Sequence, residues 1–362
     1  MIIPARLPLL LFAAALGGAW WRALPPPAPA FVVPPPVIST LPASFVSASL
    51  ANTGANAQHP SLTLLPDGRI AAAWLQKNPA RAPDATIHLS FWDGQQWSPS
   101  RIIVDHRLLA NAGKAQVQNL GHPTLFAHGG QLHLWVSTAH AGAGSGIHHL
   151  QSANAGEDWS TPQRLATSPL FNLGTRNALP PLALADGGLG LPTSHVLFAQ
   201  HGEWLRFDAR GQLIDKARLP PATRDPHVVA LDEQSVLALA ASTETASPAL
   251  SAALSLDGGL RWPLGEITLP TTASAPKAAL RLASGRLLLA AHAANTPPLV
   301  QLWLSDDRGR SWRETRSIGV ETAAELAMVQ GRDGLIHLAL GGQPAGIRHL
   351  RFSEVWLQGK TP

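Results

Sequence analysis

Ser305-Asp306-Asp307-Arg308-Gly309-Arg310-Ser311-Trp312 stands between two apolar, alternating runs and reads Ser-x-Asp-x-Gly-x-x-Trp. Ser255 to Trp262 repeats that pattern in full, through Asp257 and Gly259. Ser152 to Trp159 repeats it with Asn154 in the Asp place, and Ser90 to Trp97 keeps Ser, Gly94 and the final Trp but carries Trp92 there. Each copy falls at the end of an expected strand. The residue types suit a tight hairpin: Asp caps backbone N–H groups, Gly supplies positive φ, and Trp packs beneath the turn. The motif therefore reports a repeated fold unit and not a catalytic site.

Working outward, a second pattern recurs: a short apolar strand opening near Pro, a Gly or Asp-Gly turn, and another apolar strand. It starts at Pro60, Pro123, Pro180, Pro226, Pro276 and Leu326, with turns such as Asp67-Gly68, Gly129-Gly130, Asp186-Gly187, Ser284-Gly285 and Asp333-Gly334. The spacing is that of a four-stranded propeller blade with its loops. Dense hairpin turns without helical periodicity make the chain all-β. The expected fold is a six-bladed β-propeller spanning residues 45–362.

Residues 1–24 hold one early positive charge, Arg6, and an apolar run from Leu7 to Trp21. A run of that length suits a signal peptide better than a span of ~20 residues, with an uncleaved anchor as the alternative. Either implies export to a bacterial periplasm, cell envelope or exterior, and the second a membrane tether. Residues 25–44 contain seven prolines between Pro25 and Pro36 and are expected to form a stiff linker.

The 362 residues include no cysteine, which excludes disulfides and thiolate chemistry, and no tyrosine. Lys and Arg exceed Asp and Glu by 27 to 23. These basic residues are scattered, without the aromatic-basic stripe of a nucleic-acid groove, so no nucleic-acid partner is expected. Phosphate-binding glycine loops, nucleophile elbows and His-Glu-x-x-His are absent. No cofactor, no metal and a monomeric state are expected.

In a propeller, the start of each first strand and the loop between the second and third strands share one face. That places His59, His122, Arg176, Asn177, Asp225, His227, Lys277 and the segment Glu321 to Glu325 at one mouth of the channel. The loops add Lys77 to Asp84, His140, His195 and His292. Polar residues at exposed strand starts need no function, so this map sets candidates only.

With these residues in view, the chain resembles the sialidase (neuraminidase) superfamily, in its bacterial exo-sialidase-like branch, over residues 45 to 357. The resemblance rests on the four Asp-boxes, on His59-Pro60 with Pro66-Asp67-Gly68-Arg69, on Ala82 to Ile87, Gly121-His122-Pro123 and Arg176-Asn177, and on Gln330 with Asp333 to His337 and Gly346 to Phe352. It implies glycoside hydrolysis in which three arginines hold a substrate carboxylate, a carboxylic acid protonates the leaving oxygen and a Glu-assisted Tyr attacks. This chain departs from that pattern. It has no Tyr, lacks the Arg-Ile-Pro that carries the first arginine, has Pro79 and Ala80 where an Arg-Glu pair is usual, and reads Glu321-Thr322-Ala323-Ala324-Glu325-Leu326 where Glu and Tyr-Pro are usual.

The resemblance makes Asp84 the candidate acid, against the reading of an Asp that ends a Pro-rich turn. Glu325, near the lost tyrosine, becomes a candidate nucleophile or base, with Glu321 beside it. Arg176 is the anion-binding candidate; Asn177, Asp225, His59, His122 and His227 would bind sugar. Two functions stay open on sequence: a diverged glycoside hydrolase acting on an acidic glycan or polysaccharide, and a catalytically silent glycan-binding or polysaccharide-assembly propeller.

Overall fold

A computed structural model describes residues 12–17, 28, 30–50, 53–77, 85–113, 117–140, 144–167, 174–197, 199–244, 249–264, 267–293, 298–322 and 325–359. It is an all-β, six-bladed propeller. Strand β1 (Phe45–Ser49) is set aside by the chain and used last. Blade 1 comprises β2 (Ala57–Leu64), β3 (Ile70–Lys77), β4 (Ala85–Trp92) and β5 (Arg101–Asp105). Helix α1 (His106–Gly113) leads to blade 2, which holds β6 (Val117–His128), β7 (Gln131–His140), β8 (Gly144–Ser152) and β9 (Gln163–Arg164). In blade 3, β10 (Thr175–Arg176) and β11 (Leu182–Ala183) both pair with β12 (Leu189–His195), followed by β13 (His201–Phe207) and β14 (Leu213–Pro221). The innermost strand is thus split, and Pro180-Pro181, which bring no N–H to a ladder, lie in the break.

Blade 4 contains β15 (Thr223–Ala230), β16 (Val236–Ser242) and β17 (Ala249–Ser255), with a single Ala253–Leu264 bridge beyond. Blade 5 contains β18 (Ala273–Arg281), β19 (Leu287–Ala293), β20 (Leu299–Ser305) and β21 (Arg313–Gly319). Blade 6 takes β22 (Glu325–Gln330), β23 (Ile336–Gln343) and β24 (Gly346–Phe352), and β1 completes it antiparallel to β24, from Phe45–Phe352 to Ser49–Arg348. That pairing places an early strand and the last three strands in one blade and so closes the ring. Helix α2 (Glu354–Gln358) follows, capped by Ser353 Oγ, which accepts from the Trp356 N–H.

Burial explains the sequence patterns. The middle strands β3, β12, β16 and β23 are buried over six residues in succession, because blades cover both of their faces. The outer strand β14 instead alternates half-buried and exposed residues, as an edge with one covered face should. Leu288, Leu302, Ile336, Leu338 and Leu350 knit blades 5 and 6, and Leu89, Leu125, Leu134 and Leu150 knit blades 1 and 2. Each such side chain contributes about 1.5–3 kcal/mol by leaving water.

The three well-formed Asp-boxes share one hydrogen-bond scheme. Ser305 Oγ donates to Asp307 Oδ1 at 2.8 Å and accepts the Gly309 N–H at 2.8 Å. Asp307 Oδ1 accepts the Ser311 N–H, and Trp312 Nε1 donates back to the Gly309 carbonyl. Ser152–Trp159 and Ser255–Trp262 reproduce every one of these contacts. The box at Ser90 does not: with Trp92 in the Asp place, Trp97 Nε1 donates to His349 Nδ1 of blade 6 instead, at 3.1 Å.

Described residues 30–44 run extended across the face that carries the first-hairpin turns. Phe31 is buried against Trp204 and Leu184, and its N–H donates to the Glu233 carbonyl. The Val37 N–H donates to Ala283, and Leu41 approaches Gly334. This stretch is extended, as its prolines require, yet it is packed on the propeller and does not hang free of it. Most of the apolar leader lies outside the described residues. Among those described, no helix is long and apolar enough to cross a membrane.

Candidate functional site

The first strands line a channel cavity of about 410 Å³ that opens at the mouth opposite the Asp-box face and reaches Val32, Val33 and Pro34 at its other end. Backbone geometry aims the side chains into it. Blades 1, 2, 4 and 5 each carry a register shift where the innermost strand reaches the mouth, between Gln58 and Ser61, Leu120 and Pro123, Arg224 and His227, and Ala273 and Pro276. His59, Asn177 and Asp225 sit at positive φ of 51°, 54° and 49°. Non-glycine residues tolerate that region only at a cost of order 1–3 kcal/mol each, and His, Asn and Asp are the types that tolerate it best. Three such residues near one mouth of the channel make this end of the molecule the candidate site.

His59, His122, Asp225, His227, Lys277 and Glu325 all line the pocket, as the sequence map expects, and Arg224 joins them. The imidazoles of His59 and His122 stack with ring centroids 3.6 Å apart. Burial, reinforced by His122 and by the ammoniums of Lys77 and Lys277, pushes His59 down to about 2. Burial lowers His122 too, against the attraction of Glu325 and Asp225, and brings His227 to about 4. All three rings are therefore neutral at pH 7, able to donate through one nitrogen and accept through the other.

Asp225 is the anchor of the polar network. Its Oδ1 accepts from Asn177 Nδ2 at 3.0 Å and from Ser194 Oγ at 2.9 Å, while Ser194 Oγ accepts the Asp225 N–H at 2.8 Å. Arg224 Nε lies 3.5 Å from Oδ2. Burial alone would raise this carboxyl, but the Asn177 and Ser194 bonds outweigh it and hold it below its ordinary value. Asp225 is thus an ionised group, suited to accept a hydroxyl hydrogen bond or stabilise positive charge, and unsuited to donate a proton at pH 7. On the next two blades, 5 and 6, Lys277 Nζ stands 3.5 Å from Glu325 Oε1.

The remaining candidates lie apart from the pocket lining or outside the described residues. Asn177 supports Asp225 from behind. Arg176 acts electrostatically on His122, and its Nε is buried without a hydrogen-bond partner. Glu321 is exposed, its N–H donating to Gln343 Oε1. Asp84, the candidate acid, lies outside the described residues, as does the whole segment 78–84. Sequence reading missed Arg224 and Ser194. Arg224 directly precedes the bulged Asp225 and could have been found from that adjacency; Ser194 sits inside a buried strand with nothing in its neighbours to single it out.

The arrangement can bind a polyhydroxylated ligand through neutral imidazoles and one ionised carboxylate. Among the described residues, no three arginines converge on it.

Similar architectures occur among solved structures. The Hadza microbial sialidase Hz136 superposes with a TM-score of 0.68 at 13% identity, over 86% of this chain and 68% of that one. A protein of unknown function from Dyadobacter fermentans gives 0.66 at 15% identity, over 85% and 97%. An α-L-arabinanase of Penicillium chrysogenum, complexed with arabinobiose, gives 0.60 at 16% identity, over 87% and 98%. These likenesses establish the fold, a six-bladed propeller of sialidase type. No curated protein matches the sequence. The family profile described as BNR repeat-like domain matches residues 68–338, most of the chain, and the protein belongs to that family.

Proposed function

We propose that this chain is an exported glycan-binding propeller that holds one saccharide unit of an envelope or extracellular glycan in its mouth pocket. The observation that carries the reading is the pocket lining itself. Stacked neutral His59 and His122, buried His227 and ionised Asp225 line the mouth end of the channel cavity, where a few polar groups converge above apolar walls as in small-molecule sites. Sugars are read by such paired donors and acceptors. At the mouth, Arg224 and Lys277 each face a carboxylate, which favours a saccharide recognised through its hydroxyls. Calorimetric titration with a panel of acidic and neutral oligosaccharides tests this: saturable binding by wild type, weakened in His122→Ala, supports it, and no binding across the panel opposes it.

A second reading, a glycoside hydrolase, is favoured by two carboxylates, Asp225 of blade 4 and Glu325 of blade 6, lining one pocket. The fold is shared with a sialidase and an arabinanase, which suits the reading without deciding it. A fluorogenic panel of acidic and neutral glycosides separates the two. Turnover lost in Glu325→Gln and in Asp84→Asn supports the hydrolase; binding without turnover supports the binding module.

A further inference from the structure

Away from the pocket, on the mouth-side rim of blade 3, three metal-ligating side chains meet. His195 closes β12 and His201 opens β13, directly opposite each other in the antiparallel register. Glu203 lies two residues beyond His201, so the strand period puts it on the same face. Ligand atoms of all three lie within 4.8 Å of one another. His195 Nδ1 is 3.5 Å and His201 Nε2 3.6 Å from the same carboxylate oxygen, Glu203 Oε1. Ligand bonds of about 2.0–2.2 Å in a tetrahedron set neighbouring ligand atoms about 3.4 Å apart, so these distances are those of a tetrahedral edge.

A second observation comes from the tautomer. His195 Nε2 is 3.1 Å from the Leu197 carbonyl, which can only accept, so Nε2 carries the proton. In the neutral ring Nδ1 is then a bare lone pair, buried and without a hydrogen-bond partner. It faces a carboxylate oxygen, another acceptor, and a metal cation between the two would take up both lone pairs. A backbone carbonyl holding the far nitrogen of a histidine is also the usual outer support of a metal ligand. Thr175 Oγ1 donates to the other oxygen, Glu203 Oε2, at 3.1 Å, and fixes the carboxylate.

We infer that His195, His201 and Glu203 form a site for a divalent transition ion of the zinc type, with three protein ligands and one position open. This departs from the sequence expectation of no metal. Two imidazoles and one carboxylate suit Zn²⁺ better than Mg²⁺ or Ca²⁺, which prefer all-oxygen shells. Lys216 is the rival cation: its Nζ lies 3.0 Å from Glu203 Oε1, on a side chain 34% exposed that can swing into solvent. Arg218, opposite Glu203 in the register, adds a further positive charge that the ion must work against. Binding therefore displaces the Lys216 ammonium. It also stiffens the end of β12, where neighbouring Ser194 holds Asp225 of the saccharide pocket.

The test is calorimetric titration of the untagged, chelator-treated full chain with Zn²⁺, with Co²⁺ absorbance as a check on four-coordinate geometry. One equivalent is expected, with affinity falling at least tenfold in His195→Gln and rising at least tenfold in Lys216→Met. Circular dichroism of each variant shows whether it folds, and Lys216→Met leaves all three ligands in place should Glu203→Gln fail to fold. Absence of stoichiometric binding in wild type overturns the inference. So does binding that survives His195→Gln unchanged, or Lys216→Met binding no tighter than wild type.

Discussion

His59 of blade 1 and His122 of blade 2 lie face to face, their ring centroids 3.6 Å apart, at the starts of adjacent innermost strands. Two imidazoles can share that spacing only while at least one is neutral, and burial keeps both so. The pair offers the pocket a flat, apolar wall edged with polar nitrogens. His122→Ala removes the half of it that has ordinary backbone geometry. It is expected to weaken saccharide binding about tenfold, the equivalent of roughly 1.4 kcal/mol. Titration calorimetry checks this, and unchanged affinity would place the ligand elsewhere.

Asp225→Asn keeps the size of the side chain and removes the charge that Asn177 and Ser194 both serve. An amide oxygen can still accept, so a loss of about 1 kcal/mol in stability is expected, readable as a small fall in Tm. Saccharide binding should fall further than stability does. Equal binding by the variant would remove Asp225 from the recognition set.

Acid stability follows from the buried imidazoles. His133, His149, His227 and His337 are pushed down to about 4 and His349 to about 3, in each case first by burial. In the unfolded chain these groups titrate near 6.5, so between the two values the unfolded state binds more protons. Stability is then complete above pH ~6.5 and declines as pH falls through about 4. Urea melts from pH 8 to pH 4 should show midpoints falling steeply below pH 6.5. A flat profile down to pH 5 would show that these rings are not held neutral by the fold.

The Asp-box hydroxyl has a defined load. Ser305 is buried and its Oγ is the acceptor for the Gly309 N–H. Ser305→Ala orphans that N–H and is expected to cost about 1–3 kcal/mol while leaving saccharide affinity unchanged, since the box is on the opposite face. Thermal melts and titration together check both halves.

The stretch across the lower face is part of the folded unit. Phe31 is 2% exposed, and Phe31→Ala is expected to cost about 3–5 kcal/mol. Val37, 63% exposed on the same stretch, should tolerate alanine. If both substitutions are silent in thermal melts, residues 30–44 do not contribute to the propeller.

Much of the fold was legible because its determinants are local. Proline at a strand start, Asp-Gly in a turn and Ser-x-Asp-x-Gly-x-x-Trp at a hairpin all act within eight residues, so they marked six blades and told one face from the other. The ring closure by Phe45–Ser49 was not legible, since its partner strand lies some three hundred residues away and its own sequence carries no turn chemistry. The mouth residues were found by topology and residue type together. Ser194 and the His195–His201–Glu203 meeting were missed because cross-strand register, not sequence spacing, brings them together. Exposed Glu321 shows the converse: proximity in sequence to Glu325 did not carry it into the pocket.

In the proposed function, a saccharide binds at the mouth between His59, His122, Asp225 and Glu325. The most direct measurement is calorimetric titration of the tightest oligosaccharide from the panel into wild type, His122→Ala and Asp225→Asn, with Ser305→Ala as the opposite-face control. Affinity lowered about tenfold or more in both pocket variants and unchanged in the control is expected. Equal affinity in all four proteins, or a loss confined to the control, would contradict it.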